Sequence, residues 1–194
     1  MRGVIVFVKN PELGKVKTRL ATTVGDEKAL EIYNKLLDYT RDVLIEVDDT
    51  KKYVFYSSFI DEDDGWQNDI FEKKLQMNGG LGEKITEALK NIFEICDQVV
   101  IIGSDCPQLT PSHIELAFDK LQKQNIAIGP SHDGGYYLLG MDRFYPEIFQ
   151  DITWSTDTVF QETLQKAESS GLTSYILETL SDIDYEEDWV KYGF

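Results

Sequence analysis

Three aspartates, Asp105, Asp182 and Asp184, stand where carboxylates could do chemistry. Asp105 ends the run Val99-Val100-Ile101-Ile102-Gly103-Ser104-Asp105-Cys106-Pro107. Four consecutive apolar residues rich in Val and Ile predict a strand buried on both faces, as in the interior of a mostly parallel sheet. Pro107 cannot donate to a ladder, so the strand ends before it and Asp105 falls at the carboxyl edge, where open α/β sheets bind ligands. Asp is also a common turn residue, and a simple cap after the strand is the competing reading. Asp182-Ile183-Asp184 sets two carboxylates on one side of an extended segment. Acidic residues before a helix also suit its dipole. Together with Asp105 they could supply hard oxygen ligands for Mg²⁺ bridging a polyphosphate.

A second group of residues is basic. Lys9-Asn10-Pro11-Glu12-Leu13-Gly14-Lys15-Val16-Lys17-Thr18-Arg19-Leu20 follows an apolar run and precedes a helical pattern. A loop that leads from a strand into a helix offers backbone N–H groups to phosphate, and Lys9, Lys17 and Arg19 add positive charge. A solvated basic loop is the alternative. The loop is neither a Walker A motif nor a Gly-x-Gly-x-x-Gly fingerprint, which argues against a dinucleotide-dependent dehydrogenase. Two glycine-rich stretches, Asn78-Gly79-Gly80-Leu81-Gly82 and Asp133-Gly134-Gly135-Tyr136, allow close approach of a ligand to the backbone. For the first an ordinary turn and helix entry is, unaided, the better reading, and for the second a plain hairpin turn serves nearly as well.

The elements that must position these residues alternate. Strands are expected at 4–8, 53–56, 71–76, 99–102, 126–130, 136–141 and 175–177. Helices are expected over 27–44, around Ile85 to Phe93, from Thr110-Pro111 through Leu121, and over 156–169. In the first helix Ala29, Ile32, Tyr33, Leu36, Leu37 and Thr40 share one face. Thr110 at the cap and Pro111 behind it form a helix start. Strands alternating with helices of this length predict an α/β fold with a largely parallel sheet. No repeat or linker interrupts residues 1–194, so a single domain is expected.

Composition narrows the function. The chain has 194 residues, with 42% hydrophobic and 12% aromatic, which fits a folded domain rather than a disordered one. The net charge of −16 argues against a nucleic-acid polymer as partner, since phosphate backbones need basic surface. Yet residues 1–19 carry five basic groups against Glu12 alone, a balance of +4, which leaves −20 for the rest. Such an island suits a small anion. No apolar run is long enough to span a membrane. The amino-terminal run lacks a cleavage signal, so a cytoplasmic location is expected. Two cysteines, Cys96 and Cys106, are too few for a disulfide framework and read as small core residues.

Taken in order, these blocks resemble a known family. Lys9-x-Pro-x-x-Gly-x-Val-Lys-Thr-Arg-Leu, Gly79-x-Leu81-Gly82-Glu83, Ile102-Gly103-Ser104-Asp105-Cys106-Pro107-x-Leu109, Asp133-Gly134-Gly135-Tyr136 and Asp182-Ile183-Asp184 with Asp188 span nearly the whole chain. The pattern is similar to small bacterial GT-A-like proteins of the nucleotide-diphospho-sugar transferase type. It also resembles 2-phospho-L-lactate guanylyltransferase and, more distantly, the molybdenum-cofactor guanylyltransferase. The resemblance implies a Rossmann-like α/β/α sandwich and a transferase using Mg²⁺ or Mn²⁺ with a nucleoside triphosphate or nucleotide sugar. It implies that Lys9, Lys17 and Arg19 hold phosphates and that Gly79, Gly80, Leu81 and Gly82 lie near the nucleobase. Asp105 would bind the metal with Asp184 or Asp182, and Asp133, Gly134 and Tyr136 would face a small-molecule acceptor. Nucleotidyl transfer from a nucleoside triphosphate to a small phosphorylated or hydroxyl acceptor leads, with Lys17, Arg19 and Asp105 in the catalytic roles. Glycosyl transfer and a non-catalytic nucleotide-binding module are the alternatives, and association of identical copies is left open. One departure from the family pattern is that the first loop lacks the Gly-Gly pair usual in nucleotidyltransferases of this fold.

Overall fold

A computed structural model describes residues 1–194. In chain order the elements are β1 (Arg2–Val8), α1 (Thr18–Val24), α2 (Asp26–Ile45), β2 (Thr50–Tyr56), β3 (Phe71–Leu75) and α3 (Leu81–Phe93). Then follow β4 (Gln98–Ile102), α4 (Pro111–Lys120), β5 (Ile126–Pro130), β6 (Tyr136–Met141), a 3₁₀ turn (Pro146–Phe149), α5 (Val159–Ser169), β7 (Ser174–Ile176) and α6 (Glu186–Tyr192).

The seven strands form one sheet in the order β3-β2-β1-β4-β6-β5-β7. All pairs are parallel except those made by β6, which runs antiparallel to both β4 and β5. Alternate residues feed two cores. Val4, Val6 and Val8 of β1, with Val100 and Ile102 of β4, meet Tyr33, Leu37 and Leu44 of α2 and Ile114 and Phe118 of α4 on one face. Ile5 and Ile101 meet Ile85, Leu89 and Ile92 of α3 and Ala167 of α5 on the other. The period-two pattern of buried strands thus produces the expected α/β/α layers.

Between β1 and β4 the chain order changes direction: β1 runs on to β2 on one side and is flanked by β4 on the other. This is the switch point at which the carboxyl ends of parallel strands splay apart and leave a crevice. The first loop leaves β1 there, and Gly103-Ser104-Asp105 leaves β4 there.

Local chemistry moved some boundaries. Gly25, at φ 84° and ψ 159°, separates α1 from α2, so the basic loop leads into a seven-residue helix of its own. The helix expected over 156–169 begins only at Val159. Upstream, the Thr156 hydroxyl donates to the Thr153 carbonyl at 2.6 Å and the Thr158 hydroxyl to Glu162 Oε1 at 2.8 Å. Short hydroxyl side chains here satisfy backbone and cap groups that a helix would otherwise claim. No helix is long and apolar enough to cross a membrane. Both cysteines are buried and free.

Candidate functional site

The site is built where two distant segments meet. The Ile183 N–H donates to the Asp105 carbonyl at 3.0 Å, and the Ser181 N–H donates to Gln108 Oε1 at 2.9 Å. Ile183 is buried beside Leu20, Ile32 and Leu36. Burying this one side chain in an extended segment turns its neighbours Asp182 and Asp184 to the opposite side, toward Asp105.

Lys17 enters from the first loop in the left-handed conformation, φ 46° and ψ 44°. A lysine there is strained by about 1–3 kcal/mol and persists only when its surroundings hold it. They do: its Nζ lies 2.8 Å from Asp105 Oδ2 and 3.6 Å from Asp184 Oδ1, and its side chain is only 7% exposed. Arg19 Nη1 donates to Asp184 Oδ2 at 3.0 Å from the surface side. Burial opposes the charge on Lys17, but Asp105, Asp184 and Asp182 outweigh it and raise its pKa. The loop itself is braced by Tyr33, whose hydroxyl accepts from the Lys9 N–H at 2.8 Å and donates to the Lys9 carbonyl at 3.1 Å.

Asp182 is the most perturbed group in this set. Burial, then the nearby carboxylates Asp105 and Asp133, push its pKa well above the usual carboxylate range, with Lys17 pulling the other way. Its Oδ1 is buried and has no hydrogen-bond partner. Such atoms are rare in folded proteins and mark either strain or a place for a ligand.

These groups border a cleft of about 890 Å³. Of the five basic residues in the amino-terminal island, only Lys9, Lys17 and Arg19 reach it. Arg2 lies over Phe118, and Lys15 pairs with Glu12 on the surface. Asp133 and Tyr136 line the cleft, whereas Gly134 does not. At φ +89°, Gly134 packs so tightly that a Cβ would lie 2.0 Å from the Asp157 carbonyl oxygen. The Tyr136 hydroxyl is buried without a partner, and burial pushes its pKa up.

Within the Asn78-to-Gly82 stretch only Leu81 lines the cleft. The glycines serve the chain instead. The Gly80 N–H donates to Glu83 Oε2 at 2.8 Å in a capping box, and a Cβ on Gly82 would lie 2.2 Å from Trp154 Nε1. Sequence reasoning passed over Lys84, which lines the cleft and makes no ion pair, and Trp154. Leu81, Lys84 and Ile85 share one helix face at three- and four-residue spacing, a signal that could have found Lys84. Trp154 lies in an irregular segment with no period to place it.

Carboxylate oxygens, one of them buried without a partner, are the donor type that hard divalent cations take. They do not form a closed cage by themselves: no group of three or more His, Cys, Asp or Glu side chains is arranged to hold an ion.

A family model described as an uncharacterized protein conserved in bacteria (DUF2064) matches residues 40–156. The crystal structure of a "putative nucleotide-diphospho-sugar transferase" from Desulfovibrio desulfuricans G20 superimposes with a TM-score of 0.86 at 31% identity. The match covers 95% of this chain and 82% of that one. A nucleotidyl transferase from Methanothermobacter superimposes at 0.67 with 12% identity, covering 98% of this chain and 95% of that one. The 4-diphosphocytidyl-2C-methyl-D-erythritol synthase from Anaerococcus prevotii does so at 0.64 with 11% identity, covering 100% and 94%. At these lower identities the likeness is one of fold.

Proposed function

This chain belongs to the bacterial DUF2064 family, and from that premise and the geometry of the cleft we propose a nucleotide-using transferase. In this reading it moves a nucleotidyl group from a nucleoside triphosphate to a hydroxyl of a small acceptor. The observation that carries it is the convergence of Asp105, Lys17, Asp184 and Arg19 at the switch point, on the border of a cleft large enough for a nucleotide.

Lys9 and Lys84 line the cleft without a carboxylate partner and are available to the donor phosphates. Tyr33 holds the first loop in place, and the buried Ile183 holds the tail carboxylates toward Asp105. Asp105 and Asp184, with Asp182 beside them, would hold Mg²⁺ or Mn²⁺, which when bound draws charge from the phosphates. The acceptor oxygen bonds to the α-phosphorus as the bond from that phosphorus to the bridging oxygen of the β-phosphate breaks. Pyrophosphate leaves, and the hydroxyl proton passes to water. Such catalysis is positioning and electrostatics, with no covalent step on the protein. A donor drawn from the nucleotide pool goes with the cytoplasmic location expected from the sequence.

The name of the Desulfovibrio relative favours a second reading, in which a nucleoside diphosphate leaves from a sugar carbon. A thermal-shift panel of nucleoside triphosphates and nucleotide sugars, each with and without Mn²⁺, tests both, because a bound donor stabilises by mass action. Pyrophosphate release from a triphosphate supports nucleotidyl transfer, and diphosphate release from a nucleotide sugar supports glycosyl transfer. Nucleotide binding with neither product points to a binding module. No binding at all overturns the reading.

A further inference from the structure

The cleft is divided by charge, and the division bears on what the acceptor is. All four cations that line it come from the first loop and the starts of α1 and α3: Lys9, Lys17, Arg19 and Lys84. The opposite wall is made by the β5–β6 loop and the segment before α5, buttressed by the backbone around Leu180. It presents Asp133 and Asp157 to the cleft and contributes no lysine, arginine or histidine. His132 is exposed and lies outside the cleft.

The structure assigns this wall to an uncharged polyhydroxylated acceptor, a sugar or polyol, and not to a phosphate ester; the assignment rests on the transferase reading above. Four observations support it. The carboxylates have acceptor capacity to spare. Asp157 makes no side-chain hydrogen bond or ion pair, and Asp133 engages only its Oδ1, with the Ser131 hydroxyl and the Gly135 N–H. Hydroxyl donors of a ligand would satisfy these oxygens, whereas phosphate oxygens bring only further acceptors and like charge. A partnerless polar atom, the Tyr136 hydroxyl, belongs to the same wall.

The wall also has an apolar surface. Trp154 lines it, packed edge-on against Gly82 and stacked with Phe149 at 6.4 Å between ring centroids. An aromatic face beside a few fixed polar groups suits the C–H face of a sugar.

Finally, the wall is braced before any ligand arrives. The Phe160 N–H donates to the Gly134 carbonyl at 2.9 Å, and the His132 N–H donates to the Leu180 carbonyl at 3.0 Å. Gly134 allows the β5–β6 loop to press against Asp157, which ties all three segments together. Carboxylates held in place cannot retreat from an incoming anion, so the penalty for a phosphate ester is not relieved by loop movement.

The test uses matched pairs on the full chain: D-glucose against D-glucose 6-phosphate, and myo-inositol against its monophosphate. Each is titrated with Mg²⁺ and the four α,β-methylene nucleoside triphosphates present to fill the cationic side without turnover, and binding is read by saturation-transfer NMR. The neutral member of each pair is expected to bind more tightly by about tenfold or more. Raising the salt should improve ester binding and leave sugar binding unchanged. Asp157 is exposed, so Asp157→Asn should fold, and it should narrow the gap between the members of a pair. An ester that binds as tightly as its parent sugar overturns the inference, as does a cleft that takes neither. The nucleotide analogues are followed in the same spectra. Their binding with an ester preference sinks the acceptor assignment alone, and a sugar preference without nucleotide binding sinks the transferase reading alone.

Discussion

Two lysines in this molecule are almost fully buried against aspartates, and they are built differently. Lys73, on β3, is 5% exposed and donates to Asp64 Oδ1 at 2.9 Å and to the Asp61 carbonyl at 2.6 Å. Asp64 is fully used: its Oδ1 also accepts from the Trp66 N–H at 3.0 Å, and its Oδ2 accepts from the Tyr56 hydroxyl at 2.6 Å. Lys17, 7% exposed, faces two carboxylates that are each about one-third exposed to the cleft, with a third nearby whose buried oxygen has no partner. The Lys73 cluster closes on itself and pins the loop between β2 and β3. The Lys17 cluster carries excess negative charge and open oxygen valences on the border of a cleft. Saturation, more than burial or distance, separates a structural ion pair from one that awaits a ligand.

Three substitutions test that contrast. The largest effect is expected from Lys17→Met, which leaves Asp105 and Asp184 without their shared counter-charge. Turnover should fall by about 10²-fold or more, by the measure of removing one preorganised electrostatic group from an active site. Steady-state release of the nucleotide product reads this, and turnover within a few-fold of the parent would break the contrast at the Lys17 end. Lys73→Met should instead act on stability. Removing one member of a buried pair costs about 3–5 kcal/mol, as urea unfolding would show, while nucleotide binding by the folded fraction stays unchanged. A loss of binding equal to that of Lys17→Met would mean that the two clusters are not different in kind.

The smallest effect concerns Asp182→Asn and carries a sign. The Asp182 carboxyl has a folded-state pKa above its unfolded value, first because it is buried and next because Asp105 and Asp133 are near. The native state therefore holds its proton more tightly than the unfolded state does. Its contribution is present at low pH and is lost as pH rises from the unfolded pKa, near about 3.9, through the raised folded one. Asparagine has no proton to lose, so the variant should be more stable than the parent at neutral pH and should lack this part of the pH dependence. Denaturant midpoints across that range read the difference. A parent and variant with parallel pH curves would remove Asp182 from the unsaturated cluster.

Much of this was legible beforehand, for identifiable reasons. The runs Val4 to Val8 and Val99 to Ile102 are apolar on both faces, short and rich in Val and Ile, as suits a strand buried between two helix layers. The Asp-Ile-Asp spacing stated that its two carboxylates share a side, and the structure turns both toward Asp105. The glycine block was less transparent. Gly79, Gly80 and Gly82 have the composition of a ligand loop, but their small size serves a helix cap and the approach of Trp154. A glycine records that something comes close without saying whether that is a ligand or a side chain of the same protein. Lys17 raises the same difficulty in charge. Its place in a basic loop suggested phosphate, and its ammonium lies between two aspartates more than 80 residues away in sequence.

By itself the sequence determined the strands and the four longer helices to within a few residues, the two-sided burial of the central strands and the carboxylates at their ends, because side-chain period and strand-ending residues are local properties. Only the tertiary structure decided the insertion of antiparallel β6 between β4 and β5, the meeting of the tail with the β4 loop, and the division of the cleft into a cationic and an acidic wall. Those features depend on which strand edges pair and which segments pack across long stretches of chain. Residue spacing carries no record of such pairings.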